Sequence, residues 1–533
     1  MDRLLIADAR IVDGSGAPWF RGDVLVEGPR IAAVGRNLDA GDAARLDAGD
    51  RYLAPGFIDA HCHDDLIFLR EPSRPEKAAQ GVTSIVVGNC SFSLFPQADG
   101  LRAHFGSLLG EVAEDEVFAD FGAYRERLEG QGIALNLIGL VGHAALRLAV
   151  VGPDDRPATA DERARMQALL ARQLVQGAAG LSLGLVYPPS AYADEAELRA
   201  LAETVAAHGA ILAAHVRSYE GGLISSVDEF IGIVRAAKAI GLLSHLQAAG
   251  RPYWGSVPKA IARLEAARAE GVDISFDMYP YPAGSSTILQ LLPPSAQAGG
   301  IDRLLQRLAD PAERAALQKA VLEGIAPDAG WESKIRLIGW ENVVIGGVAA
   351  AALKPLEGKK LSDIAAEAGE QPFDTLCRLI LADRGQTNIV MFQLDEADLR
   401  AALTHPLHML GSDGLPRPGS RPHPRAFGSF PRYIARCAGD FGWLSMEDAV
   451  RHMTSAPAQR FGLYDRGLIR AGMAADLVLF GPDIRDGAEF TAPTLPPQGI
   501  DRVWVAGQTV IANGAVTGAM PGRVIGRSTN QES

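Results

Sequence analysis

The stretch APGFIDAHCHDD, residues 54–65, decides how this chain is read. A short apolar run, Phe57-Ile58-Asp59-Ala60, leads into His61-Cys62-His63. Along a strand, side chains i and i+2 point to the same side. His61 and His63 therefore face one side and Cys62 the other. Two imidazoles on one side can share a zinc ion, each at about 2.0–2.1 Å. A lone His-x-His also arises by chance on surface strands, so its meaning depends on the rest of the chain.

Seven further apolar runs follow. They are SIVVGNC (84–90), ALNLIGLVGH (134–143), GLSLGL (180–185), AILAAHV (210–216), GLLSHL (241–246), DISFDMY (273–279) and HMLGSDG (408–414). Ala-rich, charged runs such as ATADERARMQALLARQLVQG and PKAIARLEAARAEG separate several of them and read as helices. Eight near-continuous apolar strands with crossover helices predict an α/β fold, a (β/α)8 TIM barrel. TNIVMFQL (387–394) is a ninth candidate strand, either an extra element or a competitor for one end of the barrel.

Strand-like segments also crowd both termini. LLIADARIVDG, DVLVEG and RIAAVG precede residue 50, and ADLVLFGP (475–482), DRVWVAGQTV (501–510) and VIANG (510–514) come near the other end. They predict a small β-sandwich domain built from residues 1–55 and 467–533, flanking a barrel over 56–466. Residues 284–350 break the strand–helix rhythm and are too long for an ordinary loop. They predict an inserted subdomain over the barrel mouth. The polar tail after 522 is expected to fray.

Composition narrows the function classes. Asp plus Glu number 64 against 51 Lys plus Arg, a formal charge of −13, which argues against a nucleic-acid or anionic-membrane partner. Hydrophobic residues at 47% and charged residues at 22% describe a packed chain rather than a disordered one. The cysteines Cys62, Cys90, Cys377 and Cys437 form no close pair and no disulfide scaffold. The start, MDRLLIADAR, lacks the apolar core of a secretory signal. No uncharged apolar run reaches the roughly 18 residues of a membrane helix. The expected location is a reducing cytoplasm.

In a (β/α)8 barrel the C-terminal ends of the strands form one rim, where active sites lie. Five of the eleven histidines, His61, His63, His143, His215 and His245, fall on that predicted rim. A metal site accounts for that concentration better than a set of core histidines. Cys90 ends the second strand. A free cysteine is most often a small buried apolar side chain. On the rim it reads instead as a thiolate ligand, soft and negatively charged, at about 2.3 Å from zinc. Cys62, Cys377 and Cys437 take the apolar reading. Asp413, in Gly411-Ser412-Asp413-Gly414, either shapes a turn before glycine or faces the metal. Facing it, Asp413 would take a proton from water whose pKa zinc lowers toward about 7, then return it to a leaving amine. His104, His208, His405, His408 and His452 read as structural, and His423 is set apart by its place in the loop after Asp413.

With these motifs assembled, the chain resembles the amidohydrolase superfamily, and within it the D-aminoacylases (N-acyl-D-amino-acid deacylases), nearly end to end. The matching motifs are APGFIDAHCHDD, GVTSIVVGNCSFS (81–93), GLSLGLVYPPSAYA (180–193), HVRSYEGG (215–222), SHLQAAG (244–250), DMYPYPAGSS (277–286), GSDGLP (411–416), HPRAFGSFPR (423–432) and AGMAADLVLF (471–480). The resemblance implies His61, His63, Cys90, His215 and His245 as ligands of a tightly held zinc, with one or two metals left open. It implies Asp413 as the catalytic acid/base and 284–350 as a lid-like insert. Many amidohydrolases bridge two metals with a carboxylated lysine ending strand four. No lysine occurs here between Lys77 and Lys238, so Cys90 is the remaining anionic candidate on strand two.

For substrate binding, the resemblance implies Tyr192, Tyr279, Ser285 and Arg425. The family's lysine is replaced by Gln247, which offers hydrogen bonds without charge. Cys62 stands for a more usual threonine, and Ser190 for glycine. His143 looks family-like without an assigned role. The implied reaction is zinc-dependent hydrolysis of N-acyl-D-amino acids to a carboxylate and a free D-amino acid. Gln247 keeps open an amidohydrolase of other acylated amines or dipeptide-like amides. A non-catalytic metal-binding protein is the reading from a different class, and the intact Asp413 and full ligand set speak against it.

Overall fold

The computed structural model describes residues 3–324 and 331–527. All eight predicted runs form one parallel sheet: β1 (Phe57–Asp59), β2 (Val82–Val87), β3 (Asn136–Gly142), β4 (Gly180–Gly184), β5 (Ile211–His215), β6 (Ile240–Leu243), β7 (Ile274–Met278) and β8 (His408–Leu410). Parallel pairing runs without interruption from β1 to β7, and β7 pairs with β8. Just past the strand ends, Ala60 N–H donates to Leu410 O at 3.2 Å and Asp413 N–H to His61 O at 2.7 Å, bringing the last strand against the first. Every strand residue but Ile240 is buried. Both faces are covered, which is why these runs are apolar throughout rather than alternating.

The crossover runs are helices where the sequence places them. Ala160–Val175 starts on a Thr159/Glu162 capping box, and Glu195–Ala207 starts on Asp194, whose side chain accepts from Glu197 N. Among the described residues no helix is long and apolar enough to cross a membrane.

Both termini enter one nine-stranded sheet. The two ends join where Tyr52–Pro55 runs antiparallel to Leu477–Arg485. Ile6, Val24, Leu53, Leu477 and Trp504 share a core there. The ninth candidate strand, Asn388–Phe392, is the middle of a separate three-stranded antiparallel sheet with Ala283–Thr287 and Val343–Gly347. That sheet has its own apolar core, from Ile288 through Leu304, Ile345 and Leu376 to Met391. The insert therefore extends beyond residue 350, because its central strand comes from the far side of two further helices, Leu361–Ala368 and Pro372–Asp383.

The tail corrects another expectation. Gly522 N–H donates to Ile133 O at 2.8 Å, Leu137 N–H to Arg523 O at 2.9 Å and Ile525 N–H to Leu137 O at 2.8 Å. Composition marks this segment as polar, but its backbone pairs with the start of β3. Residues 528–533 lie outside the described residues.

Candidate functional site

Six of the predicted rim residues meet in one place, and His143 is not among them. Donor atoms of His61, His63, Cys90 and Asp413 lie within 4.8 Å of one another, and so do those of Cys90, His215 and His245. Cys90 belongs to both groups, so its sulfur stands between two sets of donors. All six residues are buried.

Cys90 reaches this position on a turn rather than a strand end. β2 stops at Val87, and Gly88 takes φ 80°, where a Cβ would stand 2.0 Å from Leu140 O. Cys90 itself adopts φ 51°, unusual for a side-chain-bearing residue. β4 cradles the turn. Ser91 N–H donates to the Ser182 hydroxyl at 3.1 Å, and a Cβ on Gly184 would stand 2.2 Å from Cys90 O. The Cys90 turn thus fills space at the end of strand four that a longer residue there would need. His245 (φ 33°) and Asp413 (φ 48°) are also left-handed. Three such residues around one point are strain that the surrounding structure must hold.

Asp277, on β7, supplies part of that hold. Its carboxylate accepts the His245 backbone N–H at 2.9 Å and lies 3.2 Å from His61 Nδ1, which leaves His61 Nε2 toward Cys90 Sγ at 3.3 Å. A carboxylate behind an imidazole fixes the ring's orientation for a metal in front. Asp277 is not among the site residues read from the sequence. Its signal was an aspartate inside an otherwise apolar barrel strand.

A second buried carboxylate holds the first and last strands together. Asp59 accepts Ser412 N–H at 2.8 Å, the Ser412 hydroxyl at 2.6 Å and Lys77 Nζ at 2.6 Å, and Lys77 also reaches the Ser412 hydroxyl at 2.8 Å. Lys77 and Asp59 are fully buried. Burial works to lower the Lys77 pKa, but Asp59 and Asp64 hold it above the ordinary value. Lys77→Met is expected to destabilise the fold by about 3–5 kcal/mol, since it strands buried carboxylates. The urea midpoint measures this, and an unchanged midpoint would show the network to be dispensable.

The electrostatics suit ligands and a base. Burial pushes His215 well below the usual imidazole range, and His245 down to about 4, so both are neutral. Burial raises the Cys90 thiol to about 11, with His61 opposing. A divalent cation would reverse that, since a coordinated thiol is deprotonated. Burial also works to raise Asp413, but the Arg425 guanidinium at 2.9 Å and the histidines around it hold its carboxyl well below the ordinary range. Asp413 touches His63 Nε2 at 3.2 Å. His63, His215 and His245 each keep a buried Nδ1 without a hydrogen-bond partner. One thiol and four imidazoles around a carboxylate, with no lysine among them, fit zinc.

Four of the five implied substrate residues line a cavity beside this cluster: Gln247, Tyr279, Ser285 and Arg425. Gln247 Oε1 accepts the Tyr279 hydroxyl at 2.8 Å, and the Ser285 hydroxyl donates to Ile389 O at 2.9 Å. Arg425 lies 4.5 Å over the Tyr279 ring and keeps its Nε without a hydrogen-bond partner. Tyr192 is not brought in. Its hydroxyl donates to Pro294 O at 2.9 Å, and it lines a neighbouring cavity. Tyr187 stands in the inner wall instead, its ring 5.0 Å from that of His215 and its hydroxyl 3.0 Å from that of Ser286. Tyr219, Glu220 and Lys334 also line this cavity. The quoted motifs contain Tyr187, Tyr219 and Glu220 without marking them, and Lys334 lies in no motif.

His143 lies apart from the metal cluster. It sits between the Ser190 hydroxyl at 2.6 Å and Glu197 at 2.7 Å, all three fully buried. The serine that stands where glycine is expected thus ties the loop carrying Tyr187 to the helix after it. His423, singled out by position, donates from Nε2 to Ala283 O (2.9 Å) and accepts the Arg425 backbone N–H at Nδ1 (3.0 Å), bracing the arginine beside Asp413.

The Amidohydrolase family model matches residues 45–511. The chain is 37% identical over 529 residues to the N-acyl-D-glutamate deacylase of Alcaligenes xylosoxydans xylosoxydans, covering 99% of this chain and 97% of that one. It is 36% identical over 526 residues to the D-aminoacylase of the same organism, covering 98% of each. Among solved structures, the N-acyl-D-glutamate deacylase of Bordetella bronchiseptica, in complex with zinc and a phosphonate mimic of the tetrahedral intermediate, matches with a TM-score of 0.82 at 33% identity. That match covers 98% of this chain and 99% of that one.

Proposed function

The chain belongs to the amidohydrolase family, and from that premise we propose that it is a zinc-dependent deacylase of N-acyl-D-amino acids, yielding a carboxylate and a free D-amino acid. One observation carries the reading: Cys90, four histidines and an ionised Asp413 converge at the barrel rim beside a cavity lined by Arg425 and Tyr279.

His61, His63, Cys90, His215 and His245 would hold the metal. Bound there, zinc supplies Lewis-acid polarisation of the amide carbonyl and lowers the pKa of water. Asp413 takes the proton of the attacking water. It can do so because Arg425 keeps it ionised despite burial. On collapse of the tetrahedral adduct, Asp413 returns that proton to the departing nitrogen, which leaves as an amine. Arg425, Tyr279 and Ser285, which line the cavity, would orient the substrate. Tyr187 and Tyr219 flank His215 and exclude bulk water from that side.

The test is amine release by zinc-replete protein from N-acetyl-D-amino acids and their L partners, across apolar, acidic and basic side chains. D-selective hydrolysis is expected. Identities of 37% and 36% to an acidic-substrate deacylase and a D-aminoacylase do not separate the two subclasses, so the best side chain names the subclass. The uncharged Gln247 favours a second reading, an amidase for acylated amines without an α-carboxylate. Hydrolysis confined to such amides would establish it.

A further inference from the structure

Among the described residues, the side-chain cations lining the inner cavity are Arg425 and Lys334. Arg425 is held by Asp413 at 2.9 Å and donates to Ser285 O at 3.1 Å. Its guanidinium is thus already turned to Asp413 and to Ser285 O. Gln247 is neutral. Among the described residues, Lys334 is the cation of this wall that is not paired with Asp413.

Lys334 comes from the inserted segment, and its only ion pair among the described residues is with Glu220, which follows β5. Glu220 has other partners. Its carboxylate also accepts the Ser218 hydroxyl at 3.0 Å and Tyr219 N–H at 3.1 Å, so it remains hydrogen-bonded if Lys334 turns away. The backbone presenting Lys334 is pinned on its N-terminal side. Glu332 accepts the Tyr253 hydroxyl at 2.6 Å, and the Ser333 hydroxyl donates to Val321 O at 2.6 Å. A fixed backbone under a long flexible ammonium suits a group that exchanges one carboxylate for another.

The pair also sits on a boundary. Val186, Glu220, Gln290 and Lys334 line both the inner cavity, of about 30 Å³, and a neighbouring one of about 760 Å³. The inner space holds about two waters, far less than an acylated amino acid. A substrate reaching Asp413 from the larger cavity would pass these four residues.

We propose that Lys334 is a specificity-determining residue that binds a carboxylate of the substrate, which takes the place of Glu220 on its ammonium. This inference rests on the deacylase reading and adds the required charge of the substrate. The carboxylate has two possible sources, the α-carboxylate or an acidic side chain.

The test compares wild type, Lys334→Met and Lys334→Arg, each checked for equal zinc content. Substrates are N-acetyl-D-leucine, N-acetyl-D-glutamate, N-acetyl-D-glutamine and N-acetyl-D-leucinamide. The methionine variant is expected to raise KM at least tenfold on carboxylate substrates, with kcat changed less, and to leave the leucinamide within about twofold. The arginine variant should recover most of the loss. A loss shared by leucine, glutamate and glutamine derivatives assigns the α-carboxylate, and a loss confined to glutamate assigns the side chain. Equal loss on the leucinamide, or no loss on any substrate, overturns the proposal.

Calorimetric binding of N-acetyl-D-glutamate and N-acetyl-D-leucine separates failure here from failure of the deacylase reading. Lys334-dependent binding without turnover would sink the deacylase activity and keep the carboxylate site. Turnover with Lys334-independent binding would do the reverse. Absence of both binding and turnover would remove both.

Discussion

Asp413→Asn is expected to lower kcat by about 10²–10⁴-fold while leaving zinc content at the wild-type value. Asparagine has the shape of aspartate but cannot take up the water's proton or hand one to the departing nitrogen. The five other donors, His61, His63, Cys90, His215 and His245, remain in place. The side chain is buried and hydrogen-bonded locally, and the substitution loses the attraction of Arg425 at 2.9 Å. Some loss of stability is therefore expected too, and thermal melting should be measured beside kcat. Full activity with full zinc would remove Asp413 as the acid/base. Loss of activity together with zinc would recast it as chiefly a ligand.

Cys90→Ala is expected to weaken zinc binding by more than the roughly 10–100-fold that loss of an outer-shell partner costs, with activity falling in parallel. Cys90 is common to both donor groups, so its removal opens both at once. It is also a soft donor among imidazoles, one that a bound cation makes anionic, and thiolate softness is what matches zinc. Metal content after dialysis against a chelator measures the effect, and added zinc should restore part of the activity. Unchanged stoichiometry would take Cys90 out of the ligand set and leave the histidines to hold the metal.

The barrel was legible because its signals are short-ranged. Strands buried on both faces are apolar throughout, and β1 to β8 all show it in their own residues. His61 and His63 declared themselves through spacing, and Cys90 and Asp413 through their places after apolar runs. Tyr192 was misleading for the opposite reason. A motif preserves order along the chain, but the turn after β4 directs Tyr187 inward and Tyr192 toward Pro294. The tail was misjudged on composition, which describes side chains, whereas Gly522, Arg523 and Ile525 are held through their backbones.

By itself the sequence pointed to the fold class, the joining of the two termini, the metal-capable set and Asp413 as the candidate proton carrier. Each depends on local periodicity or on residues at the ends of regular elements. The tertiary structure alone decided what stands behind and across from those groups. Asp277 braces His61 from 216 residues away, and Ser412 meets Asp59 across 353. Lys334 reaches Glu220 across 114 residues, from the inserted segment. No periodicity records such encounters, because they are fixed by where loops from different strands converge over one barrel mouth.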